Sequence, residues 1–220
     1  MCGRYSLLCI DDLGNRFRVT NPVLGFRSHF NIAPSTEQLV VVHETGNAFV
    51  PMRWGLIPSW AKDPSNGYRM INARAETLSE KSAFRSLVKN RRCLVPASGF
   101  FEWKKDGAQK IPYYFFLKDA PLFAFAGLYD AWKSPDGSVI RSYTIITTRP
   151  NDLVAPVHDR MPAILLPEHE ERWVGQQPIA PADTASLLAP YPAGAMAMHR
   201  VSGRVNAPVN DTPDVIEPVG

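Results

Sequence analysis

Between residues 93 and 148 the chain is a succession of short runs rich in β-branched and aromatic residues: Cys93 to Val95, Phe100 to Trp103, Pro112 to Leu117, Leu122 to Trp132 and Val139 to Thr148. Runs of this length and composition read as strands. Ser134-Pro135-Asp136-Gly137 separates the last two and predicts an antiparallel hairpin over residues 122 to 148. Helical spacing is rarer. Thr77 and Glu80 have the spacing of a capping box, Phe84, Leu87 and Val88 would share one face of the helix that follows, and Lys89, Arg91 and Arg92 suit its C-terminal end near Asn90. A second helix is predicted from about Pro167 to Gly175 with Trp173 turned inward, and a third from Ala182 to Leu188.

Twenty scattered prolines shorten helices and favour strands joined by structured loops. With no internal repeat and no linker, residues 1–220 read as a single α+β domain. Its mixed, mostly antiparallel sheets are expected to curl toward a barrel, with the helices at the periphery.

Composition narrows function mainly by exclusion. A chain of 220 residues can bury roughly 70% of its unfolded surface, enough for a core without metal or disulfide staples. Lys and Arg number 24 against 21 Asp and Glu, so any anion site must be local rather than a bulk effect. Cys2, Cys9 and Cys93 are odd in number and lack CxxC spacing, which argues against a disulfide framework or zinc cluster and fits a reducing cytosol. The opening apolar run is too short for a signal peptide and is closed by Asp11 and Asp12, and no window approaches the roughly 20 apolar residues of a membrane span. The expectation is a soluble, cytoplasmic protein. Phosphate-binding, zinc-protease, nucleophile-elbow and dinucleotide motifs are all missing, and the five histidines show no ligand spacing. No cofactor or metal is therefore expected, and the chemistry falls to side chains.

The most reactive candidate is Cys2. Removal of Met1, expected before so small a residue, would leave an α-amine and a thiol on adjacent carbons. An α-amine has a pKa of about 7.7 to 8.0 against about 10.4 for lysine, so near neutrality much of it is free to attack an aldehyde. The thiol could then add to the imine carbon and close a five-membered thiazolidine. The same dipeptide also reads as a small hydrophobe leading into a first strand, with Tyr5 and Leu7 packed nearby.

Five further segments bear on that choice: MCGRY at residues 1–5, WGLIPSW at 54–60, INARAET at 71–77, GFFEW at 99–103 and HDRMP at 158–162, with FNIAP at 30–34 and RVS at 200–202 as weaker support. Together and in this order they resemble the SRAP family, the SOS response-associated peptidase domain that crosslinks to abasic DNA. The resemblance runs from Met1 to about Pro162. It implies a catalytic set of Cys2, Asn72, Glu102 and His158. Asn72 could hold the terminal amine and the sugar, Glu102 could shuttle the proton that opens the abasic hemiacetal and assist cleavage of the Met1-Cys2 bond, and His158 could protonate the sugar oxygen or the imine. Read singly, Asn72 suits a turn cap as well, and Glu102 and His158 better suit a solvent-facing strand position and a structural histidine.

A DNA strand at such a site has to be held: Arg4, Arg74 and Arg160, each next to a catalytic candidate, would meet flanking phosphates, with Trp54, Trp60 and Pro34 stacking on or wedging between bases and Thr147 adding a hydrogen bond. Core packing is the competing reading of Trp54. One departure is visible: some members carry a second aromatic after the tryptophan matched by Trp60, where this chain has Ala61 and then Lys62. The expected partner is single-stranded DNA containing abasic sites, bound by a monomer that associates with the nucleoid. The expected outcome is a protective covalent crosslink in the DNA damage response, with self-processing of Met1 and some lyase activity through the Schiff base. Two other readings stay open: a cysteine peptidase with Cys2 as nucleophile and His158 as base, and a non-catalytic reader of modified or single-stranded nucleic acid.

Overall fold

The structure is a computed structural model and describes every residue except Met1, Cys9 and residues 22–24, with Ile10 and Asn66 placed by backbone alone. The expected fate of Met1 and the state of Cys9 thus lie outside the described residues.

Among the described residues twelve strands dominate: β1 (Tyr5–Leu7), β2 (His29–Ile32), β3 (Glu37–His43), β4 (Asn47–Trp54), β5 (Asn72–Arg74), β6 (Arg92–Ala97), β7 (Gly99–Asp106), β8 (Gln109–Leu117), β9 (Phe123–Lys133), β10 (Val139–Thr148), β11 (Met161–Pro162) and β12 (Met196–Arg200). The helices are short and peripheral: α1 (Leu13–Arg16), α2 (Leu87–Asn90), α3 (Pro167–Val174) and α4 (Pro181–Leu187). No helix among the described residues is long and apolar enough to cross a membrane.

The strands make two sheets. One runs in the order β12-β8-β7-β1-β2. In the other, β10, β4, β3, β6 and β9 form a closed ring, because β9 pairs back onto β10 from Lys133↔Val139 to Gly127↔Ile145. Closure removes the open edges a flat sheet would expose. The α+β reading with sheets curling into a barrel holds. The predicted hairpin is the seam of that barrel: Gly137 takes the positive φ of 90° that its turn requires, and its amide donates to Ser134 O at 2.9 Å.

The two sheets join at Ser98, where the chain leaves β6 and enters β7. Its amide donates to Ser6 O at 2.8 Å and its Oγ accepts from Leu8 N at 3.0 Å, so the corner is pinned to β1. Aromatic rings fill the space between sheet and barrel. Tyr5 meets Trp54 edge-on at 5.2 Å and Phe125 at 5.8 Å, and Phe100 stacks on Phe115 at 5.0 Å. The Tyr5 and Tyr143 hydroxyls lie 2.8 Å apart in the interior and tie β1 to the barrel.

The helix expected after Thr77 is mostly not one. Ala75–Thr77 is a 3-10 turn, and backbone bonds alternate between three- and four-residue spacing up to α2, as in Phe84 N to Lys81 O and Val88 N to Phe84 O. The capping box is absent: the Thr77 hydroxyl points back to Arg74 O at 3.5 Å. Ser79, Ser82 and Ser86 interrupt the run with weak helix formers, while burial of Leu78, Phe84 and Leu87 holds the coil against the barrel. Only the end at Asn90 matches expectation. The other two helices fall where predicted, and α3 turns Trp173 inward, its indole donating to Cys93 O at 3.1 Å.

Candidate active site

The C-terminal end of β10 organises the site. Along its first half β10 lies between β9 and β4, with Tyr143 paired in parallel to Trp54. Both neighbours then leave. β5 replaces β4, pairing Asn72 with Ile145 and Arg74 with Thr147, while β11 replaces β9, pairing Met161 with Thr148. Segments distant in sequence, INAR and HDRMP, are thereby brought to one strand end.

The departure of β4 is built into WGLIPSW. Gly55 sits at φ 125°, and a Cβ there would lie 2.8 Å from Gly67 O, so only glycine can make the turn. The segment is then laced to the barrel: Gly55 N donates to Tyr143 O at 2.9 Å, Ile57 N to Ser142 Oγ at 2.8 Å and Ser59 N to the buried Asp130 carboxylate at 2.7 Å. This trajectory leaves Trp60 at 64% exposure on a largely apolar cleft with Ile57, Pro58, Ala61 and Met70.

Cys2 lies just before β1, fully buried in the core cluster. Its Sγ sits 3.8 Å from Arg4 O. Burial, and then the nearby Glu102 carboxyl, push the thiol pKa well above its usual range. The β1–β7 pairing sets that neighbour: Phe101 N donates to Arg4 O at 3.0 Å, which draws the strand carrying Glu102 alongside the start of the chain. Glu102 is 2% exposed rather than solvent-facing, and its burial pushes the carboxyl up to about 8.

His158 Nε2 stands 3.7 Å from Glu102 Oε2. Burial lowers the imidazole pKa, with partial compensation from Asp159. The Arg160 amide at 3.0 Å donates to Nδ1 when it carries a lone pair, whereas the Arg160 carbonyl at 3.2 Å and the exposed Asp159 carboxylate at 3.1 Å accept from the same nitrogen when it is protonated. Nδ1 thus has a partner in either tautomer, and Nε2 faces Glu102. Glu102 and His158 line a cavity of about 420 Å³ with Trp103, Lys105, Lys110 and Asn206.

Cys2, Glu102 and His158 are thus brought together. Asn72 opens β5 opposite Ile145, its Nδ2 donating to Ile71 O at 3.0 Å and its buried Oδ1 without a hydrogen-bond partner among the described residues. A buried acceptor left unsatisfied is a site waiting for a donor.

The expected DNA contacts divide. Arg74 and Trp60 are exposed, and Pro34 is half-buried beside Ser35, which takes a φ of 72°. Trp54 does not reach the surface: it is fully buried, stacks with Tyr143 at 6.4 Å and donates to Ile71 O at 2.9 Å, so core packing replaces the expected base stacking. Arg4 is spent inside the molecule, donating to Asn31 Oδ1 at 2.8 Å and to the Val205 and Asn206 carbonyls at 2.6 and 3.3 Å. Thr147 is buried and gives its carbonyl to Arg160 at 2.6 Å. Arg160 also makes a bidentate pair with Glu76 at 2.7 and 2.9 Å.

Several contributors had little sequence signal. Asn31, in FNIAP, donates to the Val205, Ala207 and Asn210 carbonyls and so ties the C-terminal segment against β2. Asn206 accepts from the Trp103 indole at 2.8 Å and enters the cavity wall through a contact spanning 103 residues. Glu76 was legible within INARAET, but its partner lies 84 residues away.

Comparison with known proteins shows the family. The SOS response associated peptidase (SRAP) family matches residues 1–208. The chain is 46% identical over 222 residues to abasic site processing protein YoqW of Bacillus subtilis, covering 99% of both. It is 34% identical over 218 residues to abasic site processing protein HMCES of Xenopus tropicalis, covering 88% of this chain and 62% of that protein. A crystal structure of a Bacteroides thetaiotaomicron protein superimposes with a TM-score of 0.90 at 30% identity, over 99% of this chain and 100% of that one. The chain belongs to the SOS response associated peptidase (SRAP) family.

Proposed function

We propose that this protein processes abasic sites in single-stranded DNA by forming a covalent bond between Cys2 and the aldehyde of the ring-opened sugar. The observation that carries the reading is the buried Cys2 thiol facing a Glu102 carboxyl whose pKa is raised to about 8, with His158 beside it at a cavity. A protonated carboxyl can donate to the ring oxygen of the closed hemiacetal while taking the proton of its hydroxyl, which opens the ring. Once Met1 is removed, the Cys2 amine adds to the aldehyde and water leaves. The thiol then adds across the imine, sulfur to carbon and proton to nitrogen, and a thiazolidine results with no net oxidation. The orphaned Asn72 Oδ1 suits holding the amine. His158, neutral beside the Glu102 carboxyl, suits accepting a proton and returning it as imidazolium to the sugar oxygen or the ring nitrogen when the adduct reverses.

Glu102 would also assist hydrolysis of the Met1-Cys2 bond, and the imine stage allows β-elimination of the strand, which makes Met1 processing and lyase activity part of the same proposal. DNA would be held by Arg74, Trp60 and Pro34, with Arg160 joining if a phosphate displaces Glu76. A peptidase acting on other proteins fits less well. Its cysteine needs a depressed pKa and a histidine partner, whereas the Cys2 thiol is pushed up and His158 Nε2 faces Glu102.

Incubation with abasic single-stranded DNA followed by a denaturing gel tests the proposal. A shifted band that is lost in Cys2→Ala is expected. Wild-type protein that binds the DNA but leaves no covalent band would overturn it.

A further inference from the structure

The hairpin of β7 and β8 carries a feature that the chemistry at Cys2 does not use. Lys105 and Lys110 are direct cross-strand partners, two like charges on one face of an antiparallel pair. Such a pairing is unfavourable by itself. Trp103 shares that face by strand alternation, while Glu102, Lys104 and Asp106 turn to the other, and the cavity at the strand edge is lined from both faces. Both lysines line the cavity that holds Glu102 and His158, and Lys105 is among the groups that lower the His158 pKa, after burial. No carboxylate among the described residues forms an ion pair with either ammonium, and the exposed acidic side chain nearest in sequence, Asp106, is on the opposite face.

We propose that Lys105 and Lys110 form a phosphate subsite that grips the DNA backbone next to the captured sugar. An anion between the two ammonium groups converts their repulsion into two attractions, and a backbone phosphate is the anion that arrives with this substrate. The subsite lies in a different sheet from Arg74, so the strand would be held from both sheets while its sugar faces Glu102. The inference rests on the proposed capture of DNA at Cys2.

Two variants and two readouts test it: Lys105→Ala/Lys110→Ala and Lys110→Glu, with anisotropy of an undamaged single-stranded oligonucleotide across a salt series and covalent capture measured in parallel. For the double alanine variant the expected result is roughly a ten-fold loss of affinity at low salt, with the log affinity against log salt slope shallower by about 0.7 for the one phosphate released. Lys110→Glu replaces a like-charge pair with an opposite-charge pair, so its melting temperature should hold or rise while its affinity falls further. Unchanged affinity and slope in both variants overturn the subsite, whatever happens to capture. If the lysine variants lose salt-dependent binding but wild type forms no covalent band, the subsite stands and the capture chemistry fails.

Discussion

His158 Nε2 and Glu102 Oε2 stand 3.7 Å apart, within ion-pair range, yet near neutral pH they face each other uncharged. Burial holds the Glu102 proton up to about 8 and keeps the imidazole pKa below its usual value. An ion pair would commit both groups to each other. A neutral pair leaves a carboxyl able to give a proton and a ring able to receive one, as ring opening and adduct reversal both require.

Crosslinking should therefore follow a bell-shaped pH profile. Its rising limb reflects the Cys2 α-amine, with an ordinary pKa of about 7.7 to 8.0, and its falling limb the ionisation of Glu102 at about 8. Glu102→Gln should be slower throughout and lack the falling limb. A wild-type rate that climbs and never falls would remove Glu102 as the proton donor.

The same carboxyl makes stability depend on pH. Its folded pKa of about 8 lies above the ordinary 4.5, so its protonated form favours the native state. That contribution is complete below the ordinary value and is lost as pH rises through the folded one. Glu102→Gln keeps a neutral group at every pH, so its melting temperature relative to wild type should rise between about pH 5 and about pH 9. A difference that stays flat in calorimetry across this range would show that Glu102 is not held protonated.

The two tryptophans of WGLIPSW should separate cleanly. Trp54→Ala empties a fully buried site and should cost about 3 to 5 kcal/mol, a drop in melting temperature on the order of 10 °C for a chain of this size. Trp60→Ala, at an exposed ring, should leave melting unchanged and weaken single-stranded DNA binding by about 1 to 3 kcal/mol if a base stacks there. Equal affinities for wild type and Trp60→Ala would remove the stacking role.

Glu76 holds Arg160 in a bidentate pair at the surface, and Glu76 is half exposed. Pairs of this kind contribute about 0.2 to 1 kcal/mol, little enough for a phosphate to displace the carboxylate. Glu76→Gln should therefore bind single-stranded DNA more tightly than wild type, with little change in melting. Weaker binding would mean that Glu76 serves to position Arg160 rather than to occupy it.

The sequence by itself determined the strands of β6 to β10, the Ser134–Gly137 turn and helices α3 and α4, because alternation, β-branching, proline placement and turn residues are local signals. It also determined the family, through motifs that keep their order along the chain. The mis-stated helix after Thr77 shows the limit of local reading: its apolar spacing was correct, but three serines left the backbone to be shaped by packing of Leu78, Phe84 and Leu87. Only the tertiary structure decided that Glu102 is buried and its proton held, that Trp54 belongs to the core, that Arg4 is committed to the C-terminal segment, and that β5 and β11 replace β4 and β9 beside β10. Each of these depends on which distant residues exclude water from a given atom, a property of the folded surface that no local pattern of residues encodes.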